Sequence, residues 1–338
     1  MKAAKFVFIL SAFAGSISSV QAEVVDQAIN NVPAAVTMAA QAGEAKAPVS
    51  DSGSFMCTDG SRGEDSKIGW DGFLNGLRGF DHFATPIGNP LYFETPLNTT
   101  GLRFLYLYHG FPDDSQLQGG QVNVVAMQAR VAITERLGFI ATKDGYSWLD
   151  TGIGISDDGW NDIAAGLKYA FYVDKEADLV ISAGARYMLD RSGEAKVLQG
   201  AVDELSPFIS LAKGFDKFHV MANLTDRIPM DNDDGNNVLQ WDLHADYDLG
   251  HGIFPMLELH GLHYLSNGER LNLTVGGLDY SNFGSTDVEG STVIWFDAGA
   301  RFKFSPHASL GGAFGYPLTN RDADIMGERV TIDFELTW

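Results

Sequence analysis

The chain has 338 residues, enough for one large barrel or two ordinary domains, and 45% of them are apolar. Its 44 acidic residues outnumber 23 basic ones for a formal net charge of -21, which repels phosphate backbones and excludes nucleic acid as a partner. The single cysteine, Cys57, cannot form an intrachain disulfide, and no Cys/His spacing marks a zinc site, so no metal or other cofactor is expected.

Lys2 and Lys5 precede an apolar stretch from Phe6 to Ala14, and Val20-Gln21-Ala22 supplies the small residues of a cleavage site. Residues 1–22 therefore read as a secretory signal peptide. Beyond them no run of about 18 apolar residues occurs, so export ends in the periplasm, the exterior or the outer membrane of a Gram-negative bacterium. Residues 23–54 are rich in Ala, Val, Gln and Ser and interrupted by Pro33 and Pro48, the composition of a flexible periplasmic leader. Residues 55–100 mix glycines, prolines and aromatics without a period ("FLNGLRGFDHFATPIGNPLYFETPLNTT"). An ordered N-terminal extension is the preferred reading there, and a plug packed into the following domain is the alternative.

From Gly101 onward the period is two. In "DIAAGLKYAFYV" the residues Ile163, Ala165, Leu167, Tyr169, Phe171 and Val173 fall on one face, with Asp162, Ala164, Gly166, Lys168, Ala170 and Tyr172 on the other. "DLVISAGARYMLD", "LQWDLHADYDL" and "IWFDAGARFKF" repeat the pattern. Strands are predicted near 101–108, 121–133, 137–143, 161–173, 178–190, 205–213, 217–226, 239–248, 252–264, 292–304, 307–317 and 328–338. Many are long enough to cross a bilayer when tilted. Short links ("TER", "DKEA", "GFD", "GHG", "SP") alternate with long ones, the longest being "SNGERLNLTVGGLDYSNFGSTDVEGST". An all-β fold follows over residues 101–338: a closed antiparallel transmembrane β-barrel of about twelve strands, with ten to fourteen as bounds.

The same alternation sends charge inward. Arg130, Lys168, Arg186, Asp242, His244, Asp246, Glu258, Asp297, Arg301, Lys303, Asp333 and Glu335 are the candidate lumen-lining residues. A basic side chain facing lipid at the midplane costs about 2–4 kcal/mol, so these belong in a wet or paired interior. Either opposed acidic and basic walls line a water-filled path, or the charges pair and close it. Ser309, Gly311, Ala313 and Gly315 leave room along one wall for a solute or a plug.

Catalysis is weighed on "HGLHYLSNGERLN", which is similar to the His-x-Ser-Asn pattern of outer-membrane phospholipase A and of lipid A deacylases. Here His263 and Ser266 are three apart, and an odd separation on a strand sends side chains to opposite faces unless a bulge intervenes. His244 with Asp242 or Asp246 shares a face but reads as a hydrated wall. No catalytic residue is assigned.

The final strand, "ERVTIDFELTW", resembles the C-terminal signature of bacterial outer-membrane barrels at Ile332, Phe334, Leu336 and Trp338. That resemblance implies recognition by the barrel-insertion machinery. "AMQARVAITERLGFIATKDGY" (126–146), "GLKYAFY" and "GARY" resemble the transporter-like MetA-pathway of phenol degradation family, which implies passage of small molecules, hydrophobic or aromatic ones among them, and identifies no site. The expectation is an outer-membrane channel or transporter, not an enzyme, set in lipid and lipopolysaccharide. A lipid or peptide hydrolase and a structural or adhesive barrel are the rivals.

Overall fold

The computed structural model describes residues 72–190, 193, 202–319 and 324–338. The segments predicted as signal peptide and leader, and Cys57, lie outside the described residues. The described residues fall within one compact unit and contain no helix. Their strands are β1 (Gly101–Gly110), β2 (Gly120–Ala132), β3 (Leu137–Lys143), β4 (Gly145–Thr151), β5 (Ser156–Trp160), β6 (Ile163–Asp174) and β7 (Leu179–Leu189), then β8 (Glu204–Phe215), β9 (Phe218–Pro229), β10 (Val238–Tyr247), β11 (Ile253–Tyr264), β12 (Thr292–Ser305), β13 (Ala308–Pro317) and β14 (Arg329–Thr337).

Twelve of these close an antiparallel barrel. Each pairs with its neighbour, and the ring shuts because β1 pairs with β2 on one side (Gly101↔Arg130) and with β14 on the other (Gly101↔Thr337). Closure leaves no open edge in the ring. The apolar face points outward, with Phe104, Val125, Leu167, Tyr169, Phe302, Leu310 and Ile332 exposed, while the charged face is buried inside. A globular protein in water inverts this arrangement; it is the pattern of a barrel bathed in lipid.

Three local features depart from strict alternation. The long link between the strands predicted near 137–143 and 161–173 contains β4 and β5, which continue β3 and β6 as a hairpin beyond the ring. The outer half of β2 needs a partner past the end of β3, and β4 supplies it from Gly145 to Thr151. A bulge between Ala170 and Tyr172 reverses the faces beyond it: Tyr172 is exposed, and Val173, expected on the lipid side, packs against the buried Phe80 cluster. A second bulge, between Ala141 and Lys143, buries Thr142 and Lys143 in succession, turning inward a lysine that alternation would send out.

Candidate functional site

Residues 77–98 enter and leave the barrel at one end. Leu77 N donates to Asn98 O at 2.7 Å, so the segment is a closed loop that begins and ends beside the start of β1. "ATPIGNPLYFETPLN" contains three prolines and no apolar period, so its backbone groups cannot pair with one another in a ladder. They pair with the wall.

The basic side of the interior holds the segment by its carbonyls. Lys168 Nζ donates to Thr95 O at 2.8 Å and Leu97 O at 2.7 Å, and Arg186 donates to Leu91 O at 2.5 Å and Tyr92 O at 3.0 Å. Lys303, half-buried, donates to Asp81 O and Phe83 O, both at 2.6 Å. Arg301 Nε reaches Thr85 O at 3.1 Å, and Arg103 Nη2 reaches Pro86 O at 2.8 Å. Asp333 lies between these two arginines, 2.5 Å from Arg103 and 2.7 Å from Arg301. Glu335 is half-buried and accepts the Thr85 hydroxyl at 2.9 Å.

The acidic side takes the segment's donors. Glu258 accepts Ile87 N at 2.8 Å and Gly88 N at 2.6 Å, and Asp242 accepts Asn89 Nδ2 at 2.9 Å. His244 lies 2.8 Å from Glu258 and 3.0 Å from Asp246, and His260 lies 2.7 Å from Asp242 and 3.3 Å from Asp297. Opposed walls therefore neither face open water nor pair mainly with each other; a peptide backbone lies between them. Its fit is close. A Cβ added to Gly88 would sit 2.4 Å from the Asp297 carboxylate carbon, and one added to Gly311 would sit 2.6 Å from Ile87 Cδ1. Gly88→Val should therefore push residues 85–89 off the acidic wall at a cost of about 1–3 kcal/mol. Faster hydrogen exchange across those residues, in a barrel whose gel mobility still shifts on heating, is the expected result.

Glu94 is the one acid that the segment brings to the basic side. It is fully buried, with Arg130 at 3.0 and 2.7 Å and Lys168 at 2.6 Å. Burial works against its ionisation, but Arg130 and Lys168 prevail and hold its carboxyl well below the usual carboxylate range.

The long β11–β12 connection closes the other end from outside. Val275, Leu278, Tyr280 and Phe283 are buried in one cluster with Leu91 and Tyr92. Arg329 grips Asp279 with two bonds, of 2.7 and 2.8 Å, and Arg227 donates to Leu278 O at 2.6 Å. Arg227 also pairs with Glu204, which accepts the Tyr92 hydroxyl at 2.7 Å. What space remains between these parts includes two cavities of about 10 Å³ each, room for about one water apiece.

Arg103, Glu204 and Arg227 join the interior without having been predicted there. For Arg103 the signal was present, since Arg103, Leu105, Leu107 and His109 alternate with Phe104, Tyr106 and Tyr108. Glu94 and Asp279 had no comparable signal, because neither lies on a strand. The hydrolase-like residues stay apart: His263 bonds Thr292 at 2.8 Å, and the Ser266 hydroxyl accepts Asn237 N at 3.1 Å. Ile332 and Trp338 are exposed, and Phe334 and Leu336 half-buried, on the outward row of β14 and its end.

No family model and no curated protein sequence matches the chain, so the resemblance to the MetA-pathway family rests on the quoted segments alone. Among solved structures the chain is similar to the COG4313 outer membrane channel from Pseudomonas putida F1, at 12% identity and a TM-score of 0.54, over 76% of this chain and 100% of that one. The KdgM porin in complex with oligogalacturonate follows at 11% identity and a TM-score of 0.41, over 70% and 99%. The NanC porin aligns at 8% identity and a TM-score of 0.41, over 69% and 98%. At these identities the first likeness establishes a common fold: this chain is folded as an outer-membrane-type β-barrel.

Proposed function

We propose that the chain is an outer-membrane channel for small molecules that rests closed, with residues 77–98 as its plug and the β11–β12 connection as its lid. The observation that carries this reading is the way the interior is filled. Beside the wall's own ion pairs, Arg103, Lys168, Arg186 and Arg301 still spend donors on backbone carbonyls of a separable loop, bonds that water can replace when the loop leaves. Arg130, Lys168, Arg186, Asp242, His244, Asp246, Glu258, Asp297, Arg301, Lys303, Asp333 and Glu335 then line the path once the loop withdraws. The solute is small and, as the family resemblance implies, hydrophobic or aromatic. Lipopolysaccharide surrounds the barrel, and Ile332, Phe334, Leu336 and Trp338 are the row offered to the insertion machinery. Fractionation of a Gram-negative host tests the location.

The channel itself is tested in planar bilayers. Because Leu77 and Asn98 already touch, residues 77–98 can be excised and the ends joined with little strain. Wild type should pass little current, and a chain lacking 77–98 and carrying Asp279→Asn should show steady conductance steps. Silence from a folded chain of that kind would overturn the reading.

A further inference from the structure

Most buried cations of this interior have a carboxylate. Arg130 and Lys168 share Glu94, Arg103 and Arg301 share Asp333, Arg227 has Glu204 and Arg329 has Asp279. Lys143 and Arg186 make no direct ion pair, although Glu204 lines the cavity that both border. Among the described residues Lys143 forms no ion pair, and its Nζ lies 3.0 Å from Met188 Sδ, a weak acceptor. Arg186 bonds only neutral oxygens, those of Leu91, Tyr92 and Thr142, lies over the Tyr92 and Phe208 rings, and its Nε has no hydrogen-bond partner. Lys143 is 5% exposed and Arg186 3%. Burying a charge without a counter-charge costs several kcal/mol, and here the bulge at Ala141/Lys143 turns the lysine into that position.

Both cations border the remaining space. Lys143 and Leu91 line both cavities; Val124 and Tyr280 line one beside the polar Ser147 and Asp144, and Arg186 and Met188 line the other beside Ser206 and Glu204. The Tyr280 hydroxyl, buried and without a hydrogen-bond partner, is a third free donor. Two cations and a hydroxyl among Leu, Val and Met side chains match a small organic anion with a short carbon chain. The guanidinium fork takes a planar carboxylate on two bonds, and Lys143 adds a point charge. Asp144 and Glu204, which also line these cavities, repel any anion, and a dianion such as phosphate about twice as strongly as a monocarboxylate.

Each cavity has room for about one water, so a carbon chain must displace Leu91, and Leu91 belongs to the plug. The donors of Arg186 now on Leu91 O and Tyr92 O would pass to the carboxylate, because an ionised acceptor competes better than a peptide carbonyl. We propose that Lys143 and Arg186 form the binding site of a monocarboxylate with a short apolar chain, and that its entry frees the plug at Leu91 and Tyr92. The release step rests on the channel reading; the binding step does not.

The test is calorimetric titration of the full-length protein in detergent micelles with hexanoate, with hexanamide as its uncharged analogue, and with phosphate. Hexanoate should bind saturably, at least about tenfold tighter than either of the others. Lys143→Gln and Arg186→Gln should each weaken hexanoate by about tenfold or more while the heat-dependent shift in gel mobility persists. Lys143→Met, which removes an unpaired charge from the interior, provides a second variant expected to fold. Hexanoate should also speed hydrogen exchange across residues 85–93. Equal affinity for hexanoate and hexanamide, equal affinity in wild type and variants, or no hexanoate binding would overturn the site, and unchanged exchange would overturn the release. Hexanoate binding to a chain that passes no current even without its plug and with its lid released would sink the channel reading and leave the site standing.

Discussion

Replacing Glu94 with glutamine should undock the plug from the basic wall. The carboxylate neutralises both Arg130 and Lys168, and all three are buried. Glutamine keeps the size and removes the charge, leaving two cations facing each other across an amide. Removing one member of a buried ion pair costs about 3 to 5 kcal/mol, and here two partners are orphaned together. The barrel itself should survive, since its ladders do not involve Glu94; the loop, which has no ladder, should not stay docked. Limited proteolysis between 77 and 98 in Glu94→Gln, against protection in wild type, is the expected result at pH 7. Protection equal to wild type would sink the assignment of Glu94 as the main latch. The pH dependence has a definite sign. The Glu94 carboxyl is held below its ordinary range in the folded chain, so its contribution is complete above an ordinary pKa of about 4 and is lost only as pH falls through the depressed value. Acidifying wild type from pH 7 to pH 5 should leave the plug protected.

How much of this was legible in the sequence follows from which parts carry a period. The twelve wall strands did, because lipid outside and charge inside impose alternation along most of each strand. Arg130, Lys168 and Arg186 were found that way, as were Asp242, His244 and Glu258. The bulges at Lys143 and Tyr172 were not, because an extra residue on one strand needs no distinctive side chain, only a local geometry that the partner strand permits. A plug was the alternative reading of residues 55–100, but its contacts were not legible, for a related reason. Residues 77–98 take their shape from donors and acceptors on six or more different strands, so their own sequence shows only what they lack. Glu94 reads as one acid among 44 until the fold brings it against two buried cations.

Asp279→Asn should release the lid, and by itself it should not open the path. Asp279 is buried and bonded to Arg329 through both oxygens; burial opposes its charge, yet Arg329 keeps its carboxyl below the usual range. Next to it Leu278 holds a φ of 55°, a left-handed conformation that costs a non-glycine residue about 1 kcal/mol or more, and its carbonyl is fixed by Arg227 at 2.6 Å. An asparagine cannot neutralise Arg329, so about 3 to 5 kcal/mol of anchoring is lost and the strained turn is free to relax. The plug, held by Glu94 and Glu258 from the other side, keeps its own contacts. Two closures in series make a distinctive pattern of currents. Asp279→Asn alone and Glu94→Gln alone should each conduct little more than wild type, whereas the double variant should conduct well beyond the sum of the two. Planar-bilayer recordings of the four proteins at pH 7 decide it: additive currents would mean that plug and lid close separate paths, and full conductance from Asp279→Asn alone would mean that the plug does not seal.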